Sequence, residues 1–316
     1  MSTSRQPIDA LAMGLMLLLC MLWGLQQVAM KATAPDMSPL MQVALRSGIA
    51  ALLVGALMLW RGERMSLRDG TFWPGVVVGC LFALEYLLVG VGMRLTSASH
   101  MVVFLYTAPL FAALGLHWKL PAERLKPLQW AGIAVAFGGI VLAFSGHAGP
   151  QRGTPTINAN MLLGDALGLL GGMAWGATTV VLRSTKLGQS PATQTLLYQL
   201  VAACVLLLPA AIFMGQADIL PTAMAWANLA FQSVIVSFAS FLLWFWLLKK
   251  YLASQLGVFS FLTPLFGVGF GVWLLGEPLE PRFVAGAGLV LAGIVLVSGH
   301  AWLAQVLLRR KAAPCV

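Results

Sequence analysis

Charge is what this sequence has least of. Asp, Glu, Lys and Arg together make up only 9% of its 316 residues. A water-soluble domain carries about 25%, so the chain cannot clothe a soluble surface, and lipid must be its main outer solvent. Cysteine is nearly as scarce. Cys20, Cys80, Cys204 and Cys315 show no CxxC or other ligand spacing, which removes a disulfide framework and a zinc site. The C-terminal Ala-Pro-Cys-Val also lacks the prenylation pattern, which needs the cysteine fourth from the end. No Walker loop, dinucleotide fingerprint, zincin motif or nucleophile elbow occurs. The sequence therefore offers no catalytic residue, no metal site and no cofactor, and nothing that would hydrolyse ATP.

What it has in abundance is apolar length. Hydrophobic residues fill 59% of positions and the mean hydropathy is +0.88. A membrane-crossing helix needs about 20 such residues, and runs of that length recur at 9–31, 38–60, 72–94, 97–118, 127–146, 160–183, 191–214, 222–248, 253–275 and 281–307. The reading is an all-α membrane protein of ten transmembrane helices. Ser38-Pro39 and Ser190-Pro191 each supply a capping oxygen and then a proline suited to a first helical turn. The first run lacks a strongly basic lead and a small-x-small cleavage site, so it reads as helix one rather than a signal peptide.

The basic residues test this assignment. With the N-terminus inside, fourteen Lys and Arg fall on inner segments and four (Lys31, Arg94, Arg152 and Arg282) on outer ones. That bias predicts a multi-pass protein of the inner membrane with both termini cytoplasmic. It also explains the net charge of +9 without nucleic acid, since the basic residues are scattered between apolar runs.

The chain repeats itself. LWGLQQVAMKATAPDMSP from Leu22 aligns with AWGATTVVLRSTKLGQSP from Ala174, pairing Trp23 with Trp175 and Lys31 with Arg183. SASHMVVFLYTAPLF aligns with LASQLGVFSFLTPLF, pairing Pro109 with Pro264. Pro127, Gly132 and Gly139 then match Pro281, Gly286 and Gly293. The division is a first repeat at 9–146, a polar outer linker at 147–159 and a second repeat at 160–307. Five spans per repeat is an odd number, so the copies must enter the membrane from opposite faces. Inverted repeats of this kind recur in alternating-access carriers, with the solute near the midplane.

These features resemble EamA-type members of the drug/metabolite transporter superfamily: the paired Trp-Gly helices, the Ser-Pro starts, TSAS-to-TAPLF, LASQ-to-LTPLFG and GEPLEP. The resemblance covers nearly the whole chain. It implies ten helices, two EamA repeats and export of amino acids or related metabolites. The position of Glu85 is similar to that in aromatic and neutral amino-acid exporters of the YddG type. LPAERLKP in the first repeat departs from the family pattern that GEPLEP keeps in the second.

Arg46 and Glu85 are the charges expected deepest in the bilayer. Each costs roughly 2.5–3.5 kcal/mol at its centre on insertion scales, so neither should face lipid. Their depths agree, which predicts an ion pair that either couples transport or merely docks two helices. Trp23, Gln26, Gln27 and Met30 share one helical stripe, mirrored by Trp175, Thr178, Thr179 and Leu182. An aromatic wall beside amides and hydroxyls suits a zwitterion with an apolar side chain. The plainer reading is interhelical hydrogen bonding. Tyr106, Ser240, Trp244 and Thr263 join the candidate lining by resemblance, and Pro109 and Pro264 are candidate hinges. His100 reads as an interface residue and Asp165 as a helix-start dipole partner. Gly164, Gly168, Gly172 and Gly176 form a ridge for close helix contact.

Taken together, the sequence predicts a secondary exporter of a small organic solute, amino acids first, whose partners are that solute, the lipid bilayer and any coupling ion. The alternative within transport is efflux of lipophilic cations, with Glu85 as counter-charge. An integral-membrane enzyme or sensor would need convergent nucleophiles, metal ligands or an output domain.

Overall fold

The computed structural model describes residues 9–63, 65, 70–121, 124–145, 159–251, 256 and 259–312. Apart from a single bridge between Met37 and Ile219, their regular structure is helical. The helices are α1 (Ala10–Ala32), α2 (Pro39–Trp60), α3 (Phe72–Gly92), α4 (Ala98–Leu105), α5 (Ala108–Lys119), α6 (Pro127–Ser145), α7 (Ala159–Ser184), α8 (Ala192–Phe213), α9 (Ala223–Ala230), α10 (Phe241–Lys250), α11 (Leu262–Leu275) and α12 (Pro281–Ala312). Seven helical segments among the described residues are long and apolar enough to cross a membrane, and three shorter apolar helices accompany them. Large apolar side chains face outward along the bundle, with Trp60, Trp73, Trp118 and Trp273 exposed near helix ends. Tryptophan favours that level because its ring bridges apolar core and polar interface.

The helix starts follow local chemistry. Asp9 caps α1, accepting from the Ala12 amide at 2.8 Å and from the Tyr251 hydroxyl at 2.8 Å. Those two bonds hold its carboxyl below the usual range. Ser38 caps α2 by accepting from the Met41 amide, and donates to the Gln216 carbonyl at 2.7 Å. The second Ser-Pro start behaves differently. A 3-10 turn at Lys186–Gln189 precedes it, Pro191 itself stands at the cap, and α8 begins at Ala192.

Two expected spans are not continuous α-helices. The fourth breaks at Tyr106–Thr107, so Pro109 sits in the first turn of α5, where its missing N–H costs nothing. Pro264 likewise lies in the first turn of α11. The start expected at 253 falls among residues outside the described set. The eighth span runs α9, then a wider π-helical stretch over Phe231–Ser240, then α10.

Glycine sets the closest helix contacts. A methyl at Gly139 would come within 2.6 Å of the Gly286 carbonyl, and one at Gly132 within 2.8 Å of the Gly293 carbonyl. Low numbers meet high ones, so α6 and α12 cross antiparallel. The ridge on α7 packs on the break between α4 and α5: Gly164 faces Thr96, Gly168 faces Met101 and Phe104, and Gly172 faces Leu105 and Thr107. Gly176 continues it against Ala108 and Ala112.

Candidate functional site

The first cluster gathers on α1 and the eighth span. The Trp23 indole donates to the Ser240 hydroxyl at 2.9 Å, and Ser240 in turn donates to the Val236 carbonyl. The Trp23 ring meets Trp244 edge-on at 5.7 Å. On the opposite repeat Trp175 meets Tyr106 edge-on at 5.2 Å. The Tyr106 hydroxyl lies within electrostatic reach of Thr263, Cys20, Tyr86 and Glu85. Tyr106 therefore sits among α1, α3, α7 and α11 at the buried break between α4 and α5.

The mirrored stripe is asymmetric in its bonding. Thr178 and Thr179 donate back to the carbonyls of Ala174 and Trp175, four residues earlier on their own helix. Gln26 and Gln27 are buried, and Gln26 Nε2 and Gln27 Oε1 have no hydrogen-bond partner among the described residues. The Thr263 hydroxyl, fully buried, has the Tyr106 hydroxyl and the Cys20 thiol as its polar neighbours, although neither meets good hydrogen-bond geometry. A buried polar group left unmatched costs about 1–3 kcal/mol. A solute or ordered water offering matching groups would recover that cost.

Arg46 and Glu85 do not form the expected ion pair. The Arg46 guanidinium sits 4.5 Å over the Tyr86 ring and donates to Gln232 Oε1 at 3.1 Å. The reason is azimuth. Consecutive α-helical residues are rotated by about 100°, so α3 turns Tyr86 toward Arg46 and Glu85 away from it.

A buried amide chain that the sequence reading missed carries Arg46. Gln232 donates to Gln42 Oε1 at 2.8 Å, and Asn228 donates to Gln42 at 2.9 Å and to Thr33 at 2.6 Å. Gln42 donates onward to the Met37 and Met30 carbonyls. A signal for it was present: Gln42 and Arg46, and Asn228 and Gln232, are each four apart, one above the other on a helix face. Gln232 falls in the π-helical stretch, a feature frequent at functional sites. Gln232→Leu is expected to leave the buried Arg46 guanidinium without its side-chain acceptor, while Gln42 keeps its bond from Asn228, and to lower stability by about 1–3 kcal/mol. Thermal unfolding in detergent reads this directly, and an unchanged midpoint would show that the chain is not cooperative.

A second polar group lies at the turn between α3 and α4. His100 Nδ1 and Asp165 Oδ2 are 2.7 Å apart, and Thr96 also bonds to Asp165. His100 stacks on Phe283 at 3.7 Å. Asp165 is thus a buried side-chain partner rather than only a dipole complement. Lys31 donates to the Met93 and Thr96 carbonyls at 2.5 and 2.7 Å. Among the described residues no cluster of His, Cys, Asp and Glu has the makings of a metal site.

This architecture has known counterparts. The model of the EamA-like transporter family matches residues 10–145 and again 162–299. The chain belongs to the EamA-like transporter family. The EamA relatives include the "Uncharacterized transporter YoaV" of Bacillus subtilis (strain 168), 23% identical over 277 residues, covering 87% of this chain and 92% of that protein. The "Uncharacterized inner membrane transporter YedA" of Escherichia coli (strain K12) is 24% identical over 294 residues, covering 90% of each. A solved crystal structure superposes with a TM-score of 0.64 at 20% identity, over 99% of this chain and all of the other, which shows a shared fold. The protein is accordingly a multi-pass membrane transporter of two EamA repeats.

Proposed function

We propose that this chain is a secondary carrier of the cytoplasmic membrane that exports amino acids or closely related solutes by alternating access. In this reading residues 9–146 and 160–307 are two five-helix repeats of opposite orientation, ten crossings in all, with both termini cytoplasmic. The antiparallel glycine crossing of α6 and α12 supports inversion: Gly132 and Gly139 are the counterparts of Gly286 and Gly293, and each meets the other's mate. The observation that carries a solute site is the pair of buried, unmatched polar atoms on Gln26 and Gln27, one turn along α1 from Trp23. Trp23, Gln26, Gln27, Glu85, Tyr106, Trp175, Thr178, Thr179, Ser240, Trp244 and Thr263 are the proposed lining, and the starts at Pro109 and Pro264 the proposed hinges.

Efflux of lipophilic cations fits less well. Arg46 places a buried guanidinium 4.5 Å over the ring of Tyr86, the chain neighbour of Glu85, where a lipophilic cation would have to be accepted. The decisive assay is counterflow: purified protein in liposomes preloaded with unlabelled phenylalanine, with labelled phenylalanine outside. Transient accumulation that needs the internal solute is expected. Its absence for phenylalanine and for a panel of other amino acids, in liposomes holding folded protein, would remove the amino-acid reading.

A further inference from the structure

We infer that the protein holds one phospholipid between its two repeats, an acyl chain lodged in a hollow between α3 and α8 and the phosphate beside Lys186. The two helices approach each other where glycine permits. A carbon added at Gly75 would fall 2.5 Å from the Tyr198 ring, and one at Gly79 2.6 Å from the Ala202 side chain. Low numbers meet low ones, so α3 and α8 run parallel and start at the same membrane face. Beside this contact lies a hollow of about 470 Å³. Phe72, Val76 and Cys80 form its α3 wall, and Tyr198, Val201 and Leu206 its α8 wall. Cys80, Val201 and Leu206 are exposed, so the hollow opens to the surroundings, which for these two spans is lipid.

Three features fit a lipid. The first is length. Phe72 to Cys80 and Tyr198 to Leu206 are each eight steps along a helix, about 12 Å at about 1.5 Å per step. One leaflet's share of a hydrocarbon core about 30 Å thick is about 15 Å. The hollow thus runs nearly the depth of one leaflet, from the end where both helices begin, and takes a single chain laid along their axes. The second is Tyr198, whose hydroxyl is buried with no hydrogen-bond partner among the described residues. Helical side chains lean toward the helix N-terminus, so this hydroxyl points toward the interface, where a glycerol ester offers it a carbonyl acceptor. The third is charge. A carbon added at Gly70, two residues before Phe72, would sit 3.8 Å from Lys186 Nζ, so an ammonium group stands at the open end of the hollow. A lysine at the membrane surface attracts anionic headgroups. Glu63 at the same end is engaged by Thr193 and Arg61. In the proposed topology this is the cytoplasmic leaflet.

Native mass spectrometry of the detergent-purified protein, titrated with palmitoyl-oleoyl phosphatidylglycerol, tests this. One lipid is expected to bind at least about tenfold more tightly than any further one. Cys80→Trp should fill the hollow and weaken that first binding at least about tenfold. Leu84→Trp, on an exposed position of α3 that does not line the hollow, should leave it unchanged. Val201→Trp repeats the block from the facing helix if Cys80→Trp does not fold. Lys186→Gln and Tyr198→Phe should each weaken the first binding at least about threefold. Lys186→Gln should not alter the binding of dioleoylglycerol, which has no phosphate. Equal first binding in Cys80→Trp and Leu84→Trp would overturn the site, as would a ladder of lipids with no tighter first one. A dimer that Cys80→Trp abolishes, with no lipid bound, would give the hollow to a second copy instead. Binding untouched by Lys186→Gln and Tyr198→Phe would overturn the headgroup and ester contacts. No solute enters these measurements, so their failure leaves the carrier reading standing.

Discussion

Gly172→Leu is expected to leave almost no folded protein in the membrane. A first added carbon at this position would come within 2.7 Å of Thr107 Oγ1 and 2.9 Å of the Leu105 and Phe104 carbonyl oxygens. Those atoms cannot easily withdraw. They belong to the break between α4 and α5, where Thr107 donates to the Phe104 carbonyl at 2.6 Å and so fixes the turn. Overpacking a fitted core typically costs 1–3 kcal/mol, and here the collision is with main chain, before the rest of the leucine is placed. Marginal stabilities of about 5–15 kcal/mol leave little room for such a loss. Gly138→Leu is the control, because a first added carbon there meets nothing within 4 Å. Size-exclusion profiles of detergent extracts report the outcome. Equal yields for both variants would mean that α7 does not depend on this contact.

Much of this architecture was readable from local pattern. Apolar length located the helices, and Ser38-Pro39 marked the start of α2 because both the capping oxygen and the proline act within one turn. The four-residue glycine spacing on α7 foretold close packing, although not that the partner would be a helix break. The misses share a cause. Depth along a helix follows from counting residues, whereas rotation about its axis depends on every neighbour. The expected pairing of Arg46 with Glu85 used depth alone, and a single step along α3 put Tyr86 in Glu85's place. The π-helical stretch was invisible for a similar reason, since the residues of Phe231–Ser240 carry no local signature and their winding is settled by packing. The amide chain from Thr33 to Arg46 crosses from the first repeat to Asn228 and Gln232 in the second, a distance in sequence over which periodicity says nothing.

Glu277→Ala is expected to be the most damaging polar substitution outside the solute site. Its carboxylate accepts from the Ala98 amide at 2.7 Å, the Ser99 amide at 2.9 Å and the Ser99 hydroxyl at 2.6 Å. These are donors at the start of α4, whose first turn carries no acidic residue of its own. A negative charge there completes the orphan N–H groups and complements the helix dipole. The second repeat therefore caps a helix of the first. Gly276 makes the reach workable: its φ of 64° is a left-handed turn that glycine adopts without strain, and it returns the Glu277 amide to the Gly271 carbonyl. Ala98 and Ser99 are fully buried, so alanine at 277 strands their amides away from water. Each unmatched buried group costs about 1–3 kcal/mol, and some water entry beside the half-exposed loop would soften this to a total of about 2–4 kcal/mol. Glu277→Gln keeps an acceptor and loses the charge, so about half that loss is expected. Lys31, which Glu277 faces electrostatically, should hold the α3–α4 turn less firmly in both variants. Thermal unfolding of purified protein ranks the three chains, with glutamine between wild type and alanine. Glutamine as harmful as alanine would mean that the charge, rather than the acceptor geometry, carries the contact. Alanine as stable as wild type would mean that α4 finds its cap elsewhere.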